Sequence, residues 1–371
     1  MFDLDVSDDR TAVVHLARSL ALDVVSPAAK AAEYQRVISA DVMQTLHNTG
    51  LTTLVSESHG GGGVPEVGTH MIAVEGLSYG DPAIALGALW SGAATILIER
   101  CGTPAQADTW LRLLATESTA RSAVGVYEGF GRSPSESATT ITRTSDGGWR
   151  VVGRKLAVPF ADVATPLIVV GVDPGEGRLR AAILDGEQVK ATRDDEKIAL
   201  GAVPTFTVDF DAAVTDDQLL GGPDAVAEDL ELAVGWVRLL VAAAQCGTAQ
   251  RATDYASKYA TERIAFGKPI ATFQGVSFML ADSAIRIGVA RLEMLDAAAH
   301  LDAALAGSEA VVTRAVNYCS AVATAATRDA IQVLGGHGFI TDHPVELWYR
   351  SAAALSVLDF DPLLSNFEPS L

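Results

Sequence analysis

The chain has 371 residues, of which 49% are apolar and 20% charged, so it can bury a sizeable core and is too apolar for wholesale disorder. Its length suggests two or three domains. The net charge of −19 repels nucleic acids and anionic membranes, so we expect neither as a partner. A polyanionic ligand would therefore need a local cationic pocket.

The sequence carries no visible sign of export, disulfides or a metal site. Its first ten residues are acidic and contain no apolar segment, so we expect no signal peptide and a cytoplasmic location. The three cysteines are scattered and form no CxxC pair, which argues against disulfides and zinc. No uncharged apolar run reaches the roughly 18 residues of a membrane span.

Residues 1–118 form the first predicted region, which is helical. Alanine, leucine and glutamate recur at helical spacing, and the glycine run at 60–63 predicts a loop. A further helix is predicted to begin after Asp81 as N-cap, with Pro82 at its first position and Gly102 just past its end. We expect an N-terminal α-helical domain.

Residues 119–222 form the second predicted region, which is rich in short β-branched runs. Gly, Pro and Asp separate these runs, and the SDGGW segment at 145–149 has the signature of a hairpin turn. Strands that follow one another without helices predict an antiparallel sandwich or barrel rather than a Rossmann sheet. No GxGxxG motif follows a strand here.

Residues 223–371 form the third predicted region, which is helical again. One helix is predicted over 226–262, and a second from about 271 has apolar residues alternately three and four apart. Ser308 is predicted to cap a third helix, and a fourth follows in the segment PVELWYRSAAALSVLDF. The predicted fold class is therefore α+β, with a helical domain, an antiparallel β domain and a C-terminal four-helix bundle.

The break between the first two bundle helices, TERIAFGKPIATFQ, is unusual for a simple connector. It offers the cations Arg263 and Lys268 and the amide of Gln274, beside Phe266, which we expect to be buried. An arginine guanidinium binds two phosphate oxygens at once, so this corner is a candidate anion site. A plain interhelical turn is the alternative interpretation.

The end of the third bundle helix, IQVLGGHGF, is a second candidate contact for the same anion. Gln332 supplies an amide, and Gly335 and Gly336 leave the backbone open to close approach by a ligand. The alternative is an ordinary glycine-rich helix C-cap. Two such features in one bundle favour a pocket for a diphosphate.

The two segments TERIAFGKPIATFQGVSFMLADSAIRIGVARL and AIQVLGGHGFITDHPVELWYRSAAA closely resemble the C-terminal domain of the acyl-CoA dehydrogenase family. The same order of helical, β and helical-bundle regions runs through that family, although the match is poorer in the middle of the chain. The resemblance implies an FAD enzyme that oxidises an acyl-CoA thioester to its α,β-enoyl form and passes electrons to an electron-transfer acceptor. A carboxylate removes the α-proton while hydride leaves the β-carbon.

The resemblance also implies which residues bind the cofactor. In the family, residues at these positions reach the adenine and diphosphate half of an FAD that sits mainly in a neighbouring subunit. By similarity these residues are Arg263, Phe266, Gln274, Gln332, Gly335 and Gly336.

The middle region departs from the family at the flavin ring. The family loop reads roughly Thr-Glu-Pro-x-x-Gly-Ser-Asp, whereas YEGFGRSPSE keeps only Glu128 and Ser133, which we assign to cofactor binding. An aromatic-Ile-Thr run that follows a lysine in the family is replaced in KLAVPF, where Ala157 and Pro159 stand for the aromatic residue and the threonine. Proline lacks even a backbone N–H donor.

The catalytic base is a further departure. Counting from the Tyr-Arg pair of the last helix, the family's glutamate position falls on Asp359, which is one methylene shorter and is our candidate base; a surface acid is the alternative. At the family's other location for the base, this chain has Val237. The next residue, Arg238, matches an arginine near the thioester and is our candidate substrate contact, or else an internal salt-bridge partner.

Three hypotheses follow. The first is a subunit of a heteromeric acyl-CoA dehydrogenase that lends FAD phosphate contacts in trans to a homologous partner, as in a heterotetramer. The second is a self-sufficient homo-oligomer that uses Asp359 as base. The third is a non-catalytic helical scaffold that binds no flavin. The sequence identifies no acyl group.

Overall fold

The structure, a computed structural model, describes residues 8–129 and 137–358. Helices come first in the chain, strands second and helices again third, as predicted. In the N-terminal part, α1, α2 and a short π-helical turn between them form one continuous rod. The elements are α1 (Asp8–Leu20), the π turn (Ala21–Val25), α2 (Ser26–Gln35), α3 (Ala40–His47), α4 (Val67–Ser78), α5 (Pro82–Ser91), α6 (Ala94–Cys101) and α7 (Pro104–Thr116).

The predicted helix after Asp81 is two helices in the structure. Asp81 does cap α5, because its carboxylate accepts a hydrogen bond from the Ile84 N–H at 2.9 Å. The helix stops at Gly92, where the backbone packs so closely that an added Cβ would lie 2.6 Å from the Thr52 carbonyl oxygen. This close packing against the preceding loop, which local sequence does not reveal, divides α5 from α6.

The middle region is one seven-stranded sheet. Four strand pairs are antiparallel as predicted, including β2 and β3, which the predicted hairpin turn joins. The prediction missed that β1 and β2 lie end to end along one edge of β4 and pair with it in parallel. The strands are β1 (Ala123–Gly125), β2 (Thr140–Arg143), β3 (Trp149–Pro159), β4 (Leu167–Asp173), β5 (Arg178–Leu184), β6 (Val189–Arg193) and β7 (Thr205–Val214).

The bundle consists of the four predicted helices. They are α8 (Ala227–Glu262), α9 (Gln274–Asp302), α10 (Ser308–Leu334) and α11 (Val345–Leu355). The apolar seam of α9 is buried from Ser283 to Leu301, as the spacing predicts. The N-cap of α10 is Gly307 with φ 80° rather than Ser308, since the turn before the helix needs a left-handed residue there.

Helix α8 joins the three regions. Its residues belong to one apolar cluster that also includes α4 and α6 of the N-terminal part, β4 and β5 of the sheet, and α9 and α10 of the bundle. Near its start, the Trp236 indole N–H donates to His70 Nδ1 at 2.9 Å on α4. Burial lowers the pKa of His70 to about 4, so this imidazole is neutral and holds the two regions together.

Within the described ranges, three helical segments are long and apolar enough to span a membrane by length and composition alone, namely 10–35, 82–101 and 227–262. In the second and third, 89% and 94% of the apolar window is buried inside the protein. Core packing therefore accounts for their hydropathy. In the first, which includes α1 and α2, 17% of the window is buried.

Candidate active site

The corner between α8 and α9 is a tight hairpin. Its strands β8 (Ile264–Ala265) and β9 (Lys268–Pro269) enclose Phe266 and Gly267, with φ values of 52° and 79°. Two consecutive residues with positive φ are the requirement of a type I′ turn, and the glycine meets it at no steric cost. The turn leaves the Phe266 ring 95% exposed, so the expectation that this residue is buried was wrong.

The glycine-rich end of α10 is the second half of this surface. Gly335 has φ 58° and ψ −131°, a conformation that favours glycine strongly. A Cβ added to Gly335 or Gly336 would meet no atom within 4 Å, so the backbone there is open to a ligand. Gln332, one turn before the end of the helix, is exposed.

Tyr259 of α8 connects the corner to the glycine-rich end. Its carbonyl oxygen accepts a hydrogen bond from the Arg263 N–H at 2.8 Å. Its hydroxyl is hydrogen-bonded to Nδ1 of His337 at 2.8 Å, directly after Gly336. The candidate diphosphate contacts of the corner and of the glycine cap therefore lie at one end of the bundle.

Sequence reasoning assigned no role to Tyr259 or His337. The His337 ring stacks on His343, with centroids 5.4 Å apart and an interplanar angle of 16°. Tyr255, one turn before Tyr259 on α8, is hydrogen-bonded to His343 Nδ1 at 2.7 Å. The signal in the sequence was the pair of tyrosines four positions apart, which places both hydroxyls on one face of the helix.

The six candidate residues form a mostly exposed set. Arg263, Phe266, Gln274, Gln332 and Gly336 are exposed, and Gly335 is half-buried. Lys268, the second cation of the corner, stands over the Phe273 ring with its ammonium 4.5 Å from the centroid. This donor-bearing surface is open on its outer side and accessible to a ligand.

A cleft of about 690 Å³ lies between the sheet, α8 and the α5–α6 junction. Its lining is almost entirely apolar; among the described lining residues, Trp90, Tyr127 and Arg238 carry polar side-chain groups. The remaining lining residues are Ala93, Val124, Val126, Leu156, Ala157, Val158, Pro159, Val237, Val241 and Leu358.

Arg238 lies in the wall of this cleft and is 5% exposed. Its terminal nitrogen donates to the Thr313 hydroxyl of α10 at 2.9 Å. The guanidinium is thus held in place by the bundle while bordering the cleft. This is a suitable position for a group that orients a polar ligand, and substrate binding by Arg238 stays a prediction.

On the sheet side of the cleft, backbone groups form hydrogen bonds with each other. The Leu156 N–H donates to the Tyr127 carbonyl oxygen at 2.9 Å. The register of β3 against β7 shifts between Lys155 and Val158, and within this irregularity Ala157 has φ 52°. Pro159 follows without an N–H, so this wall offers a ring ligand few hydrogen-bond donors.

Glu128 lies behind this wall in a buried ion pair. Its carboxylate is 2.7 Å from the Lys155 ammonium, and the two side chains are 5% and 1% exposed. It also accepts hydrogen bonds from the backbone and hydroxyl of Thr139 and from the Ser137 hydroxyl. Burial opposes ionisation, but the ammonium and these donors prevail and lower the pKa of Glu128 to about 2.

The partners of Glu128 within the chain give it a structural task, which is to hold the 137–139 segment against β3. A direct contact with a cofactor stays a prediction. Ser133 and Asp359, the other two candidates, lie outside the described residues. Leu358, which immediately precedes Asp359, lines the cleft.

Both ends of the chain match models of one protein family. The family models "Acyl-CoA dehydrogenase, N-terminal domain" and "Acyl-CoA dehydrogenase, C-terminal domain" match residues 7–118 and 230–359. The chain belongs to the acyl-CoA dehydrogenase family.

Similar proteins agree with this assignment. A probable short/branched chain specific acyl-CoA dehydrogenase of Dictyostelium discoideum is 29% identical over 94% of this chain and 85% of its own. Butyryl-CoA dehydrogenase of Megasphaera elsdenii has the same fold, with a TM-score of 0.84 and 25% identity over 98% of this chain and 97% of its own. A chain from a study of the electron transferring flavoprotein of Acidaminococcus fermentans has a TM-score of 0.85 at 25% identity over 98% and 97%.

Proposed function

We propose that this chain is a subunit of an FAD-dependent acyl-CoA dehydrogenase and contributes phosphate contacts to a flavin held mainly by a homologous partner chain. The observation that carries the proposal is the exposed corner with its guanidinium, amides and open glycine cap at one end of the bundle. In a chain of net charge −19, such a cluster of donors is a local exception that suits an anion.

The corner fits the diphosphate and adenine half of FAD by the chemistry of its groups. Arg263 would supply charge-assisted hydrogen bonds, and the backbone at Gly335 and Gly336 can approach phosphate oxygens closely. The side-chain amides of Gln274 and Gln332 add donors and acceptors. The exposed Phe266 ring offers an apolar surface for the adenine ring or for the partner chain.

The cleft fits the flavin ring less well. Its sheet wall presents the apolar residues Leu156, Ala157 and Val158, and Pro159 has no N–H to donate. An isoalloxazine carries several carbonyl and nitrogen acceptors, which such a wall leaves unpaired. The contrast between a well-equipped corner and a poorly equipped cleft favours a heteromer, in which the partner chain holds the ring and carries the base.

FAD, when bound, supplies the hydride acceptor for dehydrogenation of the acyl chain. The residues of this chain would orient the phosphates through Arg263 and exclude water from the interface through the apolar surface at Phe266. Arg238, if it faces an acyl-CoA in the cleft, would hold a thioester or pantetheine oxygen. An electron-transfer protein is the acceptor we propose, since similarity to a chain from an electron transferring flavoprotein study supports one.

One observation favours the second hypothesis, the self-sufficient homo-oligomer. Leu358 lines the cleft, and Asp359 is the next residue in the sequence. Replacing a catalytic base typically lowers the rate by about 100- to 10,000-fold. Asp359→Asn in the assembled enzyme therefore tests this alternative, and an unchanged turnover removes Asp359 from the mechanism.

The test of the main proposal is purification of the chain alone and co-expressed with each homologous chain encoded nearby. We expect the lone chain to be colourless and the right pair to elute as one complex with a flavin absorption spectrum. The decisive control is Arg263→Met in the complex, which should keep the assembly and lose the flavin. A lone chain that is yellow and active supports the homo-oligomer, and pairs that all stay colourless support the scaffold.

A further inference from the structure

Arg251 of α8 is a half-buried cation that has no ion-pair partner in the part of the chain that the structure describes. Its guanidinium lies 4.8 Å from the centroid of the Tyr79 ring and 5.5 Å from that of Trp348. Its Nε is shielded from solvent and has no hydrogen-bond partner. Within residues 8–129 and 137–358, no carboxylate forms an ion pair with it. Two aromatic rings thus fix the direction of a guanidinium whose Nε has no hydrogen-bond partner among the described residues.

Most carboxylates around Arg251 have other partners. Asp254, one turn further along α8, accepts hydrogen bonds from the Tyr79 hydroxyl at 2.9 Å and from the Gln250 amide at 2.8 Å. Glu346 of α11 accepts from Arg350 Nε at 2.8 Å. Their charge is therefore already engaged and does not satisfy Arg251.

Glu33 of α2 is engaged in the same way. It accepts from the Gly201 N–H at 2.8 Å and lies 3.5 Å from Arg350. Asp342 is the remaining acid among the described residues that line the cleft beside Arg251, and it is exposed. The positive charge of Arg251 is reinforced by Lys30 of α2, whose ammonium donates to the Thr341 carbonyl oxygen at 3.3 Å.

Arg251 borders an open cleft between α2 and the segment that leads into α11. Lys30 stands in the opposite wall, and the aromatic rings of Tyr34 and Trp348 also line the cleft. The Tyr34 side chain is 63% exposed. Aromatic walls and a few convergent polar groups are characteristic of clefts that hold a small organic ligand.

We propose that this cleft binds a small molecule that carries a monovalent oxyanion on an aromatic or apolar body, with Arg251 as the principal ligand of the oxyanion. A guanidinium with free nitrogens forms charge-assisted hydrogen bonds with a carboxylate or phosphate oxygen. Tyr34 and Trp348 would pack against the body. Asp342 at the rim disfavours a dianion, which is why a monoanion is the better fit.

This site is separate from the bundle corner and from the cleft beside Arg238, because neither shares a lining residue with it. It does not rest on the proposed flavin function. Inorganic anions could also occupy the corner at Arg263, so the experiment must separate the two locations.

The test is isothermal titration calorimetry of the full chain, in the assembled complex if it requires one, at constant ionic strength. The probes are benzoate, inorganic phosphate and, as an uncharged control, benzamide. We expect saturable binding of benzoate, weaker binding of phosphate and none of benzamide. Equal binding of benzamide, or no binding of benzoate to the unmodified protein, overturns the proposal.

Three variants locate the bound probe. Arg251→Met should weaken benzoate binding at least tenfold, whereas Arg263→Met and Arg112→Met should leave it unchanged. Benzoate binding lost in Arg263→Met but retained in Arg251→Met would assign the anion to the corner and overturn the proposal. If Arg251→Met does not fold, Arg251→Lys keeps a cation but lacks the planar fork, and we expect a several-fold weakening; unaltered affinity overturns the proposal.

Discussion

The bundle corner and the cleft beside Arg238 differ in the hydrogen-bond partners of their polar groups. At the corner, Arg263, Gln274 and Gln332 are exposed, and the glycine cap leaves the backbone open. Behind the cleft wall, Glu128 and Lys155 are buried and bonded to each other and to the segment beside them. The polar groups of the corner are available to another molecule, whereas Glu128 and Lys155 already form hydrogen bonds within the fold.

In an acidic protein, a binding surface can be recognised from the hydrogen-bond partners of its polar groups. Glu128 matches a residue of the family's flavin loop. This match alone does not establish that it binds a cofactor, because its carboxylate forms an ion pair and hydrogen bonds within the chain. Polar groups that are oriented but uncommitted are the better guide to a ligand.

Lys155→Met should destabilise the fold by about 3–5 kcal/mol, because it leaves the Glu128 carboxylate buried without its counter-ion. The measurement is urea unfolding followed by circular dichroism. Arg112→Met is the matched control, since its ion pair with Asp108 joins side chains that are 60% and 64% exposed. We expect the control to change stability by under about 1 kcal/mol. Equal effects in the two variants would mean that the buried pair is not what holds the wall.

Arg263→Met should weaken flavin retention in the assembled complex by about 10- to 100-fold, the usual cost of losing a hydrogen bond to a charged group. It should barely change the urea midpoint, because Arg263 is exposed. Flavin is measured by absorbance after dialysis against increasing volumes of buffer. Retained flavin, or loss of flavin together with unfolding, would contradict the role given to the corner.

Low pH should lower the free energy of unfolding, because it protonates Glu128 and breaks its ion pair with Lys155. Its pKa in the folded protein is about 2, against 4.5 in an unperturbed glutamate. Its contribution to the free energy of unfolding is therefore complete above pH 4.5 and is lost as the pH falls toward 2. By pH 3 we expect a loss of about 2 kcal/mol relative to pH 6. Glu128→Gln lacks this titration, so the difference in unfolding free energy between it and the unmodified protein should shrink as the pH falls. A constant difference would count against the ion pair as its source.

Tyr259→Phe should weaken flavin retention about two- to tenfold, because it removes the hydroxyl that holds His337 beside the glycine cap. Tyr255→Phe is the matched control: it removes the equivalent bond to His343, one helical turn further from the corner. The dialysis assay used for Arg263→Met applies. Equal losses in the two variants would indicate a general loosening of the aromatic cluster rather than positioning of the cap.

The order of the three regions and the positions of the bundle helices could be predicted from the sequence, because apolar spacing, proline and glycine act over a few residues. The cap at Asp81 and the turn before β3 were predictable for the same reason. The bundle corner could be singled out from its residue types together with the family resemblance. The roles of its residues stay predictions, as do those of Ser133 and Asp359.

The tertiary structure alone decided which of these groups face outward. It exposed Phe266, divided a predicted helix at Gly92, laid β1 and β2 along β4 and engaged Glu128 with Lys155. Among the described residues, it also left Nε of Arg251 without a hydrogen-bond partner. Each outcome depends on groups that are distant in sequence, such as Tyr259 and His337. Local spacing fixes periodicity, whereas burial and the pairing of polar groups are set by whichever elements pack together.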